Sequence, residues 1–255
     1  MFINKEKFNL NLGDLFENKN LFLLERLVSY FGMLGDLLFP RVCPLCGEVL
    51  VENEKMICSR CLADLPETQF RDMKDNPVAR TFWGRVPFRL ATSYLFFERG
   101  NKARRLIHDI KYHDNKELGY EAGLLAGQYL RDTGAFAGID FIVPVPLHRR
   151  KQKIRGYNQS EWIGKGISAV LEKPVDHNNL YRKVFNPSQT LRSRYSRWKN
   201  VEGIFGLRDP EKYRDKHLLL VDDVITTGST IEACSIALLR APGAEISIFT
   251  LAFAY

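Results

Sequence analysis

The stretch Leu218-Leu219-Leu220-Val221-Asp222-Asp223-Val224-Ile225-Thr226-Thr227-Gly228-Ser229-Thr230 decides how this chain is read. Four consecutive large apolar residues describe a strand buried on both faces, the kind found inside parallel sheets. The strand ends in two adjacent acids, passes two β-branched residues, and enters a loop of small hydroxyl residues around one glycine that opens a helix. The first backbone N–H groups of a helix have no intrahelical partner and carry the positive end of the dipole, so they bind phosphate. Hydroxyls of Thr226, Thr227, Ser229 and Thr230 add donors, and Gly228 lets the backbone approach a ligand without a Cβ. Asp222 and Asp223 stand just before the loop, able to accept from two neighbouring sugar hydroxyls and to hold a hydrated Mg²⁺. Ligands of open α/β sheets bind at the carboxyl ends of strands, where this loop falls. A helix cap would need only Thr226 or Thr227 and would leave both acids and the glycine unexplained. The segment lacks Gly-Lys-Ser/Thr and is not a Walker loop.

Upstream, strand and helix patterns alternate. Ala91 to Phe97 and Phe141 to Val145 read as strands, Asn101 to Leu130 as one or two helices, and Ser160 to Leu171 as a helix. Short strands follow near Tyr181 to Val184 and Gly203 to Leu207, and Ile246 to Phe253 closes the series. This alternation predicts an α/β fold with a mostly parallel sheet flanked by helices. Residues 21–39 carry Leu24, Leu27, Val28, Phe31, Leu34 and Leu38 at amphipathic-helix spacing. Glu67 to Pro77 is polar and aperiodic, a linker or loop between a small N-terminal module and the main domain.

The chain has 255 residues, 45% hydrophobic and 26% charged, which excludes disordered, collagenous and coiled-coil classes. No apolar stretch reaches the roughly 18 to 20 residues that a spanning helix needs. Leu21-Phe22-Leu23-Leu24 runs into Glu25-Arg26, which argues against a secretory leader, and a cytoplasmic protein is expected. The net charge of +7 points to an anionic partner. It is concentrated: between Phe141 and Val201 there are thirteen Lys and Arg against three Asp and Glu.

Four of the five cysteines form Cys43-Pro44-Leu45-Cys46-Gly47 and Cys58-Ser59-Arg60-Cys61, a C-x2-C-x11-C-x2-C pattern. Two such knuckles can set four thiolates around one tetrahedral Zn²⁺ at about 2.3 Å, a closed shell whose metal is structural. Disulfides suit a reducing compartment poorly, so zinc is the expectation. Cys234 lies at helical spacing with Ile231 and Leu238 and is expected in the core.

Two basic clusters remain. Arg149-Arg150-Lys151-Gln152-Lys153-Ile154-Arg155 packs five positive charges into seven residues after a strand. The second holds Arg182, Lys183, Arg192, Arg194, Arg197 and Lys199 without an acid, interleaved with Tyr181, Phe185, Tyr195 and Trp198. Cations mixed with rings suit single-stranded nucleic acid, phosphates meeting Lys and Arg while bases stack on Tyr or Trp. A solvated face is the alternative for Tyr195 and Trp198.

The stretch 218–230 resembles the phosphoribosyl-pyrophosphate (PRPP) signature of type I phosphoribosyltransferases at every position. The resemblance implies that Asp222 and Asp223 hold the ribose 2′- and 3′-hydroxyls, that Thr226, Thr227, Gly228, Ser229 and Thr230 hold the 5′-phosphate, and that Mg²⁺ accompanies PRPP. Further motifs are similar to the ComF family of competence-associated proteins. They are the cysteine knuckles, Leu106-Ile107 with Lys111-Tyr112, Val143-Pro144-Val145-Pro146-Leu147-His148-Arg149-Arg150, Arg155-Gly156-Tyr157-Asn158-Gln159-Ser160, Gln189-Thr190-Leu191, Arg197, Asn200-Val201 and Gly203-Ile204-Phe205. This likeness spans about residues 35–254. It implies a type I phosphoribosyltransferase fold over 80–255, a zinc-knuckle module over 41–66, and an N-terminal segment over 1–40. Pro146, Arg149, Arg150, Lys153 and Arg155 would belong to the pyrophosphate loop, and Gln189, Arg192 and Arg197 to a flexible loop closing over PRPP. It also implies a part in natural transformation, with single-stranded DNA and proteins of the competence machinery as partners. Two functions stay open at this point, a PRPP-binding DNA-handling module and an active phosphoribosyltransferase with an unidentified acceptor.

Overall fold

The computed structural model describes residues 40–112, 115–183 and 204–254. The expected amphipathic helix at 21–39 lies outside them. Among the described residues the elements run α1 (Ser59–Ala63), α2 (Pro77–Phe82), β1 (Ala91–Phe96), α3 (Lys102–Tyr112), α4 (Lys116–Asp132), β2 (Phe141–Pro144), α5 (Arg149–Arg155) and α6 (Gln159–Leu171). Then follow β3 (Leu180–Arg182), β4 (Phe205–Leu207), β5 (His217–Ile225), α7 (Ser229–Leu238) and β6 (Glu245–Phe253). The main sheet has four strands in the order β1-β6-β5-β2, all parallel, and β3 pairs antiparallel with β4 in a separate ribbon. This is the predicted α/β architecture.

Alternation along the central strands splits the core into two layers. Leu219, Val221, Phe249 and Leu251 face α3, α4, α6 and the cysteine module. Leu218, Leu220, Ile246 and Ile248 face α2, α7 and the β3-β4 ribbon. Cys234 is fully buried in that second layer with Ile231 and Leu238, as its spacing predicts. The stretch 101–130, expected as one or two helices, is two, the second capped by Asn115, whose side chain accepts from the Leu118 amide at 3.1 Å.

Residues 67–77 form a loop paired to the sheet. Glu67 bridges Leu95, the Thr68 amide donates to Tyr94 O at 2.9 Å, and Ala91 donates to Met73 O at 2.8 Å. The segment covers the open edge of β1, with Thr68 and Asn76 buried against it and its other polar side chains facing solvent. Helices α4 and α6 lie so close that a Cβ on Gly123 would collide with the Ile163 carbonyl, and one on Gly166 with the Tyr120 carbonyl. No helix among the described residues is long and apolar enough to cross a membrane.

Candidate functional site: a strand-end acid pair and a helix-opening loop

β5 continues through the acids. Asp222 pairs with Thr250, Val224 with Ala252 and Ile225 with Phe253, because β6 runs alongside to Phe253. The strand expected to stop at Val221 therefore carries Asp222 and Asp223 on its last turn of pleat, fixed by the ladder. The side chains are held from two helices. Ser160 Oγ, at the start of α6, donates to Asp222 Oδ1 at 2.9 Å, and the Asp223 amide donates to the same oxygen at 2.9 Å. Lys111 Nζ, near the end of α3, lies 3.0 Å from Asp223 Oδ2. The Tyr157 hydroxyl donates to the Ile110 carbonyl and ties these two helix ends together.

Burial and the adjacent Asp223 charge push the Asp222 carboxyl up to about 7, against the lowering effect of the Asp223 amide, Ser160 and Lys111. Two carboxylates side by side cannot both ionise cheaply without a cation. Lys111 supplies one, and a divalent ion held by the same pair would supply another.

The loop after the acids turns at Gly228, which has φ +74 and precedes the first turn of α7. A Cβ there would lie 2.9 Å from Phe82 Cε1 and 3.0 Å from Thr81 Cγ2, so α2 forms the floor of the turn. Arg85 NH1 donates to the Thr227 carbonyl at 2.8 Å, and its Nε donates to Glu232 Oε2 at 3.1 Å. Thr226, Thr227, Ser229 and Thr230 are exposed around the turn, and together with Asp222 they line one concavity. The N–H groups of the first turn of α7 open into it, the arrangement that binds a phosphate.

The Arg149–Arg155 cluster is a short helix, α5, and the loop proper is Val145 to His148, with Pro146 in it. The backbones of Arg149 and Arg150 run in that helix. Lys153 is exposed, while Arg155 is half-buried, with its guanidinium 5.4 Å from the Tyr112 ring and donating to Gln159 Oε1 at 3.0 Å. Gln159 Nε2 is buried without a hydrogen-bond partner among the described residues. Gln189, Arg192 and Arg197 lie outside the described residues. Their segment leaves from β3 and returns to β4, and β4 packs against α7. Lys111, Ser160 and Arg85 have roles that no local pattern marks, because their partners lie more than sixty positions away. The only local hint was the presence of Lys111 and Ser160 within longer motifs.

On the far side of α3 the four expected cysteines converge. The sulfurs of Cys43, Cys46, Cys58 and Cys61 all lie within 4.8 Å of one another, and Cys46 and Cys58 are 3.6 Å apart. A tetrahedral shell with Zn–S near 2.3 Å puts its sulfurs roughly 3.8 Å apart, so the donor set fits zinc. Gly47, at φ +80, closes the first knuckle by donating to Cys43 O at 2.7 Å. Lys102 Nζ donates to Cys61 Sγ at 3.0 Å and Arg105 NH1 to Leu45 O at 2.9 Å, so the module sits on α3.

Residues 34–71 match the double zinc ribbon domain and residues 161–254 the phosphoribosyl transferase domain. The chain is 29% identical to the DNA utilization protein YhgH of Escherichia coli K12 across 82% of its own length and 83% of that protein. It is 35% identical to competence protein F of Haemophilus influenzae over 44% of this chain and 49% of that one. With competence protein ComFC of Bacillus subtilis the figures are 30% over 43% and 43%. The chain is thus similar to ComF proteins. It shows a zinc ribbon followed by a type I phosphoribosyltransferase fold, and the cysteine cluster is its ribbon's structural zinc site.

Proposed function

We propose that this chain binds PRPP together with Mg²⁺ and serves DNA uptake in natural transformation, handling single-stranded DNA in the cytoplasm beside proteins of the competence machinery. One observation carries the reading: Asp222 and the phosphate-type loop share one concavity, with Lys111 already seated as a cation on the adjacent Asp223. In this scheme Asp222 and Asp223 accept from the ribose hydroxyls, and the first turn of α7 with Thr226 to Thr230 takes the 5′-phosphate. Arg149, Arg150, Lys153 and Arg155 would be the donors for the diphosphate end. Mg²⁺ would be held beside Asp222 and Asp223, where it neutralises diphosphate charge. The names of the relatives, DNA utilization protein and competence protein, support the cellular role.

The basic residues of α5 also favour a second reading, transfer of phosphoribose. The C1–O bond of PRPP would break, pyrophosphate would leave with the bonding electrons, and C1 would bond to a base or amine. Clustered cations stabilise such a leaving group.

Calorimetric titration of PRPP with Mg²⁺ should show binding that Asp222→Asn/Asp223→Asn reduces by at least tenfold, since two ligand-holding groups are lost. Wild-type affinity in that variant would sink the site. Pyrophosphate release across a panel of bases separates the two functions.

A further inference from the structure

The outer face of α3 is not used by the acid pair, and it meets the zinc module through Arg105, whose NH1 donates to Leu45 O at 2.9 Å. Ala103, Leu106, Ile107 and Ile110 are buried, which leaves Arg104, Arg105, His108 and Tyr112 outward along the helix. Tyr112 is 62% exposed, unusual for so large a ring, and the His108 ring, itself 59% exposed, lies 4.8 Å from it. The Arg155 guanidinium of α5 lies 5.4 Å from the Tyr112 ring. At the opposite end, Arg104, Arg105 and His108 line a cavity of about 490 Å³ that Pro44 of the first knuckle closes. Asp109 is the one acid on this strip, and it lies 3.6 Å from His108.

We propose that single-stranded nucleic acid lies along this face, running from the zinc ribbon to α5, with a base on Tyr112 and His108 and phosphates on Arg104, Arg105 and Lys153. The proposal rests on the reading that the chain handles single-stranded DNA, and it places the strand on α3 instead of on the basic and aromatic residues of 185–199. Three features single out a single strand. The rings offer faces to unpaired bases, the cations flank them at both ends, and the strip is one helix wide, a stacking platform within a cationic track. A duplex hides its base faces and would gain only the phosphate contacts.

Fluorescence anisotropy of a labelled oligothymidine strand, with intact zinc-loaded protein, tests it. Tyr112→Ala should weaken binding roughly fivefold or more, the loss of one stacked base, while Tyr112→Phe should bind like wild type. Arg104→Gln should lower the slope of log affinity against log salt by about 0.7, one phosphate on a single strand. Both positions are exposed, so the melting temperatures should not move, and a strand carrying 5-iododeoxyuridine should photocrosslink to Tyr112. If wild type binds while Tyr112→Ala and Arg104→Gln match it in affinity and salt slope, the path is elsewhere and the proposal fails alone. If wild type binds no single strand even at low salt, the DNA-handling reading fails with it.

Discussion

The cysteine knuckle and the strand-end loop both turn on a left-handed glycine, Gly47 at φ +80 and Gly228 at φ +74, yet they are held in opposite ways. A Cβ on Gly47 would meet nothing within 4 Å, whereas one on Gly228 would press on Phe82 and Thr81. The knuckle is a short excursion whose sulfurs converge on a metal position. The loop is pinned by the sheet, by the ring of Phe82 below it and by Arg85 on the Thr227 carbonyl. A site organised by its ligand therefore sits across α3 from one organised by its protein neighbours, and the two should fail differently.

Metal removal tests the first half of that contrast and should give the largest effect. Structural zinc contributes about 10–16 kcal/mol of apparent binding free energy in small modules, and a segment this small has little core to substitute for it. Cys43→Ser/Cys46→Ser should lose about one zinc per chain by metal analysis and leave residues near 41–66 open to protease, with the sheet domain still folded. A double variant that resists protease as wild type does would show that the knuckle holds itself without metal.

These two sites were legible to different degrees. The cysteine spacing and the loop motif are local patterns, so both could be read directly. The parallel sheet followed from Leu218 to Val221 and from the alternation of elements. What escaped were contacts across the sequence: Lys111 on Asp223, Ser160 on Asp222, and the close packing of Gly123 against Gly166. Glycines inside a helical pattern look like weak points, and only the partner helix reveals them as a contact. The charge run 149–155, which the family likeness assigned to the pyrophosphate loop, is helical. Its Arg, Lys and Gln residues are good helix formers, and it closes a short helix. The polar run 67–77, expected as a linker or loop, is a loop, and its pairing to β1 is another contact that no local pattern marks.

The acid pair should give the next largest effect, through pH. Burial and the Asp223 charge hold the Asp222 carboxyl up at about 7, whereas in the unfolded chain an Asp ionises near about 3.9. The folded state thus binds this proton more tightly. Its contribution to stability is present below pH about 4 and is lost as pH rises through about 7, where the native carboxyl must ionise beside Asp223. Asp222→Asn removes the term, so melting temperatures of variant and wild type should diverge between about pH 4 and about 7 and keep a constant offset above, with the variant gaining. The shift should amount to a few kcal/mol at most, because Lys111 relieves part of the repulsion. Parallel melting curves across that range would mean that Asp222 is ionised throughout.

The smallest effects belong to the two glycines, and their ratio is what tests the contrast. Any residue with a Cβ in the left-handed region loses about 1–2 kcal/mol, and this is all that Gly47→Ala should cost, since the space around it is open. Gly228→Ala adds overpacking against Phe82 and Thr81, a further about 1–3 kcal/mol, and the strain falls on the backbone that is to cradle a phosphate. Denaturant midpoints should therefore fall further for Gly228→Ala than for Gly47→Ala. The double variant Gly228→Ala/Phe82→Leu, which gives the methyl room, should recover part of the difference without touching the φ penalty. Equal losses in the two single variants, or no recovery in the double, would mean that α2 is not the floor of the loop.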